Sequence, residues 1–113
     1  MDINKSVLVE SFKNALLEIA GSHIKKIILF GSYARDEETE YSDIDFLILT
    51  NYRQNYFLEF YEEKISRVVG DLMLKYNKVF TYIPEHIDTF ERLSSFYPLF
   101  KNVQKEGVVI YEK

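Results

Sequence analysis

One stretch of the chain decides the fold: residues 27–50, which read IILFGSYARDEETEYSDIDFLILT. The apolar residues 27–30 are too few for a buried helix, but they suit a strand that is covered on both faces, and Gly31 ends it. The apolar residues 46–49 form a second run of the same kind, which ends at Thr50. The stretch therefore predicts two strands that present polar residues at one common end.

Two aspartates open the second predicted strand. Successive side chains of a strand point to opposite faces, so we expect Asp43 and Asp45 to share a face while Ile44 turns into the core. Neighbouring carboxylates repel each other, and crowding them is costly unless a cation neutralises them. A hard divalent ion, most naturally Mg²⁺, takes oxygen ligands and keeps positions open for water or phosphate. We therefore predict that Asp43 and Asp45 bind Mg²⁺.

The Gly31-Ser32 corner adds groups that suit a phosphate. Glycine has no side chain, so the backbone at Gly31 can approach a ligand closely. Ser32 supplies a hydroxyl and a backbone N–H, both of which can donate hydrogen bonds to phosphate oxygens. Together with the two aspartates, the corner predicts a metal–phosphate site.

The spacing of these motifs is similar to that of a known family. Gly31-Ser32, ten intervening residues and then Asp43-x-Asp45 resemble the motif of the DNA polymerase beta-like nucleotidyltransferase superfamily. The short chain resembles the smallest members of that superfamily, the minimal nucleotidyltransferase (MNT) domains. The resemblance implies that Asp43 and Asp45 are the catalytic metal ligands, and that Gly31 and Ser32 bind the triphosphate of the nucleotide.

Three residues after the corner bear on nucleotide binding. Arg35 matches an arginine that the family often has there, which implies nucleotide binding, but an exposed ion pair with the acidic residues of the same loop is an equal alternative. Asp36 stands where the family commonly has glycine, and this departure bears on the geometry of the loop and on phosphate affinity. Tyr33 could stack on a base or pack in the core.

The resemblance also implies a reaction and a partner. Relatives transfer a nucleoside monophosphate, here AMP from ATP, to an acceptor and release pyrophosphate. MNT antitoxins act on HEPN-domain ribonuclease toxins, so the acceptor implied for this chain is a partner protein of the HEPN type. Two alternatives stay open: a catalytically degenerate MNT module that restrains its partner by contact, and a transferase that acts on a small molecule.

The resemblance further implies a third carboxylate on the strand beside the aspartates. Residues 79–83, VFTYI, predict that strand, with Pro84 ending it, but they contain no acid. Asp71, Glu85 and Asp88 lie nearby in the sequence, and each is interpreted as a surface charge. Whether the site catalyses transfer or only binds is therefore open from the sequence.

Helical patterns surround the predicted strands. Apolar residues at positions 9, 12, 16 and 19 predict a helix that ends at Gly21, and residues 55–76 predict a longer one. Two short helical pieces within residues 87–106 precede a final strand at residues 108–111. With the resemblance, these elements predict an α/β (α+β) class: a small nucleotidyltransferase fold, with a mixed sheet of about four strands packed by helices.

Composition narrows the class of protein. The length of 113 residues predicts a single domain, residues 1–113, without room for a separate substrate-binding domain. The 14 basic and 18 acidic residues give a net charge of -4, so stable binding of nucleic acid is not expected. No segment resembles a membrane span or a signal peptide, which favours the cytoplasm. The sequence leaves the oligomeric state open.

Overall fold

The computed structural model describes residues 4–113, which form four α-helices and four β-strands. In chain order the elements are α1 (Lys5–Ala20), β1 (Ile24–Phe30), β2 (Ile44–Thr50), α2 (Gln54–Tyr76), β3 (Phe80–His86), α3 (Ile87–Leu93), α4 (Pro98–Glu106) and β4 (Val108–Glu112). A short 3₁₀ turn, Gly21–His23, separates α1 from β1. The predicted single domain also includes residues 1–3, which lie outside the described part of the chain.

The four strands form one mixed sheet in the order β3-β2-β1-β4. Strand β1 is antiparallel to both of its neighbours, whereas β2 and β3 are parallel and are joined by α2. The predicted fold class, a mixed sheet of about four strands packed by helices, is therefore confirmed.

Helices cover both faces of β2, one of the two inner strands of the sheet. On one face, Phe46 of β2 stacks on Phe12 of α1 with ring centroids 3.9 Å apart, within a core that α2 completes through Phe57 and Ile65. On the other face, Leu47 and Leu49 pack against apolar residues of α3 and α4. Fully burying one such side chain contributes about 1.5–3 kcal/mol, so this continuous apolar run fixes β2 between two layers.

Strand β3 is longer than its sequence indicates. We expected Pro84 to end it, but the strand continues to His86, and Pro84 pairs with Ile48 of β2. The prediction was wrong because β3 is an edge strand, where proline's missing N–H removes no bond to a further strand. The Pro84 carbonyl accepts a 2.7 Å hydrogen bond from Gln54 Nε2, which ties this edge to the start of α2.

The helix α2 contains a glycine that packing does not require. A Cβ placed on Gly70 would meet no other atom within 4 Å. We therefore predict that Gly70→Ala raises the free energy of unfolding by about 1 kcal/mol, because alanine has the higher helix propensity. Urea denaturation would measure the change, and unaltered or reduced stability would contradict the expectation.

The topology brings the ends of all four strands together, with the start of β4 beside the end of β1. The C-terminal end of β1 lies beside the N-terminal ends of β2 and β3, and we call this end of the sheet the polar edge. The loop of residues 31–43 and the start of β3 both belong to it. Within residues 4–113, no helix combines the length and apolar character needed to cross a membrane.

Candidate active site

Gly31 turns the chain at the polar edge. Its φ angle of +76° lies in the left-handed region, which favours glycine. A Cβ at this position would clash with Asp45 Oδ2 and lie 3.3 Å from Asp45 Cγ. The contact follows from the sheet register, in which Phe30 pairs with Asp45. The absence of a side chain at Gly31 therefore leaves space for the Asp45 carboxylate. The two predicted motifs are in contact here, which the sequence did not show.

A tight turn follows Gly31. The Gly31 carbonyl accepts hydrogen bonds from the N–H groups of Ala34 (3.1 Å) and Arg35 (3.3 Å), and the Ser32 carbonyl accepts one from Glu37 (2.9 Å). As at the start of a helix, the first N–H groups of such a turn have no acceptor within it. Ser32 itself is half-buried. The first N–H groups of the turn therefore remain free to bind a ligand, and the phosphate-binding role of the corner stays a prediction.

The two aspartates lie at the start of β2 with Ile44 between them. Ile44 is fully buried in the core, as predicted, whereas Asp43 is exposed and Asp45 is half-buried. Asp45 Oδ1 accepts a hydrogen bond from the hydroxyl of Thr81 on β3. No ion pair among the described residues includes Asp43 or Asp45. Both acids therefore carry charge that no neighbouring base offsets.

Thr81 lies beside Asp45 on β3, the strand on which a third carboxylate was expected. The two residues are paired in the parallel register of β2 and β3. Glu85 lies four residues further along β3, and Asp71 and Asp88 are exposed on helices. Over residues 4–113, no group of three or more His, Cys, Asp or Glu side chains is close enough to hold a metal ion. Within the described part of the chain, Asp43 and Asp45 are thus not joined by a third acid in a metal-binding group.

Arg35 is exposed and forms two ion pairs. Its Nε lies 3.3 Å from Glu37 Oε2, and its Nη1 lies 3.3 Å from Glu106 Oε2 at the end of α4. The hydrogen bonds to Glu37 and then to Glu106 raise the pKa of Arg35. Arg35 and Gly31 also line one open cavity of about 200 Å³. The structure thus shows the surface ion pair and also places the guanidinium beside the predicted phosphate corner.

Asp36 keeps the backbone conformation that a glycine would adopt. Its φ angle is +57°, in the left-handed region that aspartate tolerates better than most residues. Lys5 Nζ forms an ion pair with the Asp36 carboxylate and donates a 2.8 Å hydrogen bond to the Tyr33 carbonyl. The hydrogen bond with Asp36, aided by Glu38, raises the pKa of Lys5. Aspartate at position 36 is thus compatible with the loop conformation, and Lys5 of α1 anchors the loop.

Sequence reasoning missed two residues of this region. Lys5 lies too far along the chain from Asp36 for any local pattern to connect them. Thr81 was within the predicted third strand, but only acids were considered there.

The buried side chain of Tyr33, which is 4% exposed, packs in the core and is not available to stack on a base.

The arrangement fits a hard divalent cation. Asp43 and Asp45 offer carboxylate oxygens without a competing base, and carboxylates are the ligands that Mg²⁺ prefers. The half-buried Asp45 is held from two sides, by the Thr81 hydroxyl and by the bare Cα of Gly31. Among residues 4–113 no third acid joins these two, so a bound cation would keep positions open for water or phosphate.

The chain is similar to known proteins. A family model described as a nucleotidyltransferase domain matches residues 9–97. A protein of Methanocaldococcus jannaschii, named as a candidate protein adenylyltransferase, is 37% identical over 109 residues, which cover 96% of this chain and 100% of that protein.

Solved structures show the same fold at lower identity. A candidate nucleotidyltransferase from Sulfolobus solfataricus superposes with a TM-score of 0.54 at 21% identity and covers 100% of this chain and 93% of its own. A chain from a toxin–antitoxin structure with AMP-PNP gives a TM-score of 0.59 at 15% identity, with 98% of this chain and 75% of the other covered.

Proposed function

This chain belongs to the nucleotidyltransferase domain family, and we propose that it transfers AMP from ATP, with Mg²⁺ bound, to a side-chain hydroxyl of a partner protein. The sequence-based prediction of a nucleotidyltransferase is confirmed by the family; the metal, the nucleotide and the acceptor belong to the proposal. One observation carries it: Asp43 and Asp45 form no ion pair among residues 4–113, and Asp45 lies against the left-handed corner at Gly31.

The two aspartates would hold the cation. A bound Mg²⁺ would neutralise charge on the phosphates and orient them for displacement at the α-phosphorus. Asp45 is pre-oriented by Thr81, so little reorganisation of that carboxylate is needed when a nucleotide binds. Asp43 is exposed, and its side chain is free to adjust to the ligand.

The corner on β1 would bind the β- and γ-phosphates. Ser32 would contribute its hydroxyl and N–H, and the glycine at position 31 lets the corner pack against Asp45. Arg35 lines the same cavity and would exchange its exposed acidic partners for phosphate oxygens. That exchange favours binding because two phosphate oxygens can accept from a guanidinium at once.

The Arg35 assignment makes a specific prediction. We expect Arg35→Ala to raise the KM for ATP by roughly tenfold with little change in stability, since exposed ion pairs contribute little to folding. Arg67→Ala is the matched control, because Arg67 also forms an exposed ion pair with a glutamate but lies on α2. Steady-state kinetics would decide, and equal KM values for Arg35→Ala and Arg67→Ala would remove Arg35 from the site.

The order of the strands suggests where the acceptor approaches. In-line displacement places the attacking and leaving oxygens on opposite sides of the phosphorus. The phosphate corner follows β1, and the aspartates lie at the start of β2. An open cavity of about 330 Å³ on the β3 side is lined by Asp43, Lys78 and Val79, among others. We place the acceptor hydroxyl in this cavity, opposite the departing pyrophosphate.

Both the names of the relatives and the surface of this chain support a protein acceptor. The similar M. jannaschii protein is named for adenylyl transfer to protein, and one structural neighbour is part of a toxin–antitoxin pair. Before α4 the aromatic side chains of Phe96 and Tyr97 are 66% and 47% exposed. We propose that they contact a HEPN-type partner, since exposed aromatic residues are enriched at protein interfaces.

The alternative function is restraint of the partner by contact alone. Thr81 favours it, because a threonine stands where a third carboxylate would support catalysis. The unpaired Asp43 and Asp45 favour the enzyme, since two adjacent like charges do not help a strand to fold.

One experiment separates the two functions. The protein is incubated with labelled ATP, Mg²⁺ and the protein encoded beside it, in parallel with an Asp43→Asn variant. Label on the partner that disappears in Asp43→Asn supports transfer. Inhibition of the partner that survives in Asp43→Asn, with no label transferred, would overturn the proposal. Asp71→Asn, an exposed acid on α2, serves as the control.

A further inference from the structure

We propose that Thr81 is a positioning residue that orients Asp45 and restricts the site to one divalent ion. The inference rests on the proposed function. It adds the number of divalent ions that the site binds and the residue that positions one of their ligands.

The first support is the contact itself. Thr81 pairs with Asp45 across two parallel strands, and its hydroxyl donates a hydrogen bond to Asp45 Oδ1. The Cα of Gly31 bounds the same carboxylate at Oδ2. Threonine is branched at Cβ and therefore has few side-chain conformations in a strand. The Asp45 carboxylate is consequently oriented by Thr81 on β3 and bounded by Gly31, which follows β1.

The second support is the balance of charge. Before a nucleotide binds, the two carboxylates carry two negative charges, which offset one divalent cation. Paired metal sites hold ions about 4 Å apart, and the repulsion between them needs further negative ligands. Among residues 4–113 no third acidic or histidine side chain joins a metal-binding group. A neutral hydroxyl at position 81 leaves a second ion without a protein charge to stabilise it.

The third support is that no other acid on the same strand takes this place. Glu85 pairs with Leu49, far along β3 from the polar edge, and its carboxylate accepts a 2.9 Å hydrogen bond from the N–H of His86. Thr81 is therefore the β3 side chain that controls how many ions Asp45 can share.

The number of ions can be counted directly. Crystals of the full chain with Mn²⁺ and no nucleotide should show one anomalous peak at Asp43 and Asp45. The Thr81→Asp variant, which adds a carboxylate beside Asp45, should show two. Two peaks in the unaltered chain would overturn the inference alone, whereas no peak in any variant would overturn the proposed function with it.

The hydrogen bond is tested by Mn²⁺ affinity, measured by electron paramagnetic resonance in the absence of nucleotide. Partners of metal ligands typically change affinity by about ten- to a hundredfold, so Thr81→Val should weaken Mn²⁺ binding within that range. Thr81→Ser keeps the hydroxyl and should restore it. Thr89→Val, a half-buried threonine on α3, is the control for threonine-to-valine changes in general. Equal affinity in Thr81→Val and the unaltered protein would contradict a positioning role.

Discussion

Asp45→Asn is expected to lower the rate of AMP transfer by about a hundred- to a thousandfold, the range found when one preorganised electrostatic group is removed from an active site. Asparagine has nearly the same shape and still accepts the hydrogen bond from Thr81, so the geometry of the strand is retained. The change removes the negative charge that would hold the cation. Activity with labelled ATP measures the effect.

The same substitution should not destabilise the fold. Asp45 has no basic partner among the described residues, so its half-buried charge contributes no ion pair that asparagine would lose. We expect an unchanged or slightly raised melting temperature together with the loss of activity. Asp71→Asn should alter neither property, because Asp71 is exposed on α2. Full activity in Asp45→Asn would exclude Asp45 from the catalytic site.

Gly31→Ala is expected to damage both stability and activity. The left-handed conformation costs a residue with a Cβ about 1–2 kcal/mol, and here the Cβ would also clash with the Asp45 carboxylate. We therefore expect the free energy of unfolding to fall by about 2 kcal/mol or more, since relief of the clash requires movement of the chain or of Asp45. Displacement of Asp45 should reduce transfer and Mn²⁺ affinity even below the melting temperature.

The chain offers a matched control for this glycine. Gly21 has an ordinary helical φ of −55°, and a Cβ there would lie 3.7 Å from Leu17 Cβ, a normal contact. Gly21→Ala should therefore change stability by no more than about 0.5 kcal/mol. Urea denaturation and Mn²⁺ titration of both variants would separate the backbone effect from the displacement of Asp45. Wild-type metal affinity in a folded Gly31→Ala protein would show that the predicted contact is unimportant.

The sequence was sufficient for what local patterns determine. The apolar run of β2 predicts a strand buried on both faces, and the alternation around Ile44 predicts which side chain enters the core. The break at Gly31 marks the end of β1. These features depend on residues that are close along the chain, so period and turn chemistry reveal them.

Contacts between residues that are far apart along the chain could not be predicted from the sequence. Thr81 lies beside Asp45 only because α2 carries the chain back into a parallel register with β2, and no short pattern specifies that register. Pro84 was misjudged for the same reason, since its tolerance depends on β3 being an edge strand. The contact of Arg35 with Glu106 likewise requires the position of α4. The motif could therefore be predicted, while the residues that surround it could not.

The central claim is tested most directly by the position of the label that reaches the partner protein. ATP labelled at the α-phosphorus should label the partner in the presence of Mg²⁺, and ATP labelled at the γ-phosphorus should not, because AMP transfer releases the β- and γ-phosphates as pyrophosphate. Label from the γ-position would show phosphoryl transfer, and label from neither position would leave restraint by contact. Either result would contradict the proposal that this site transfers AMP.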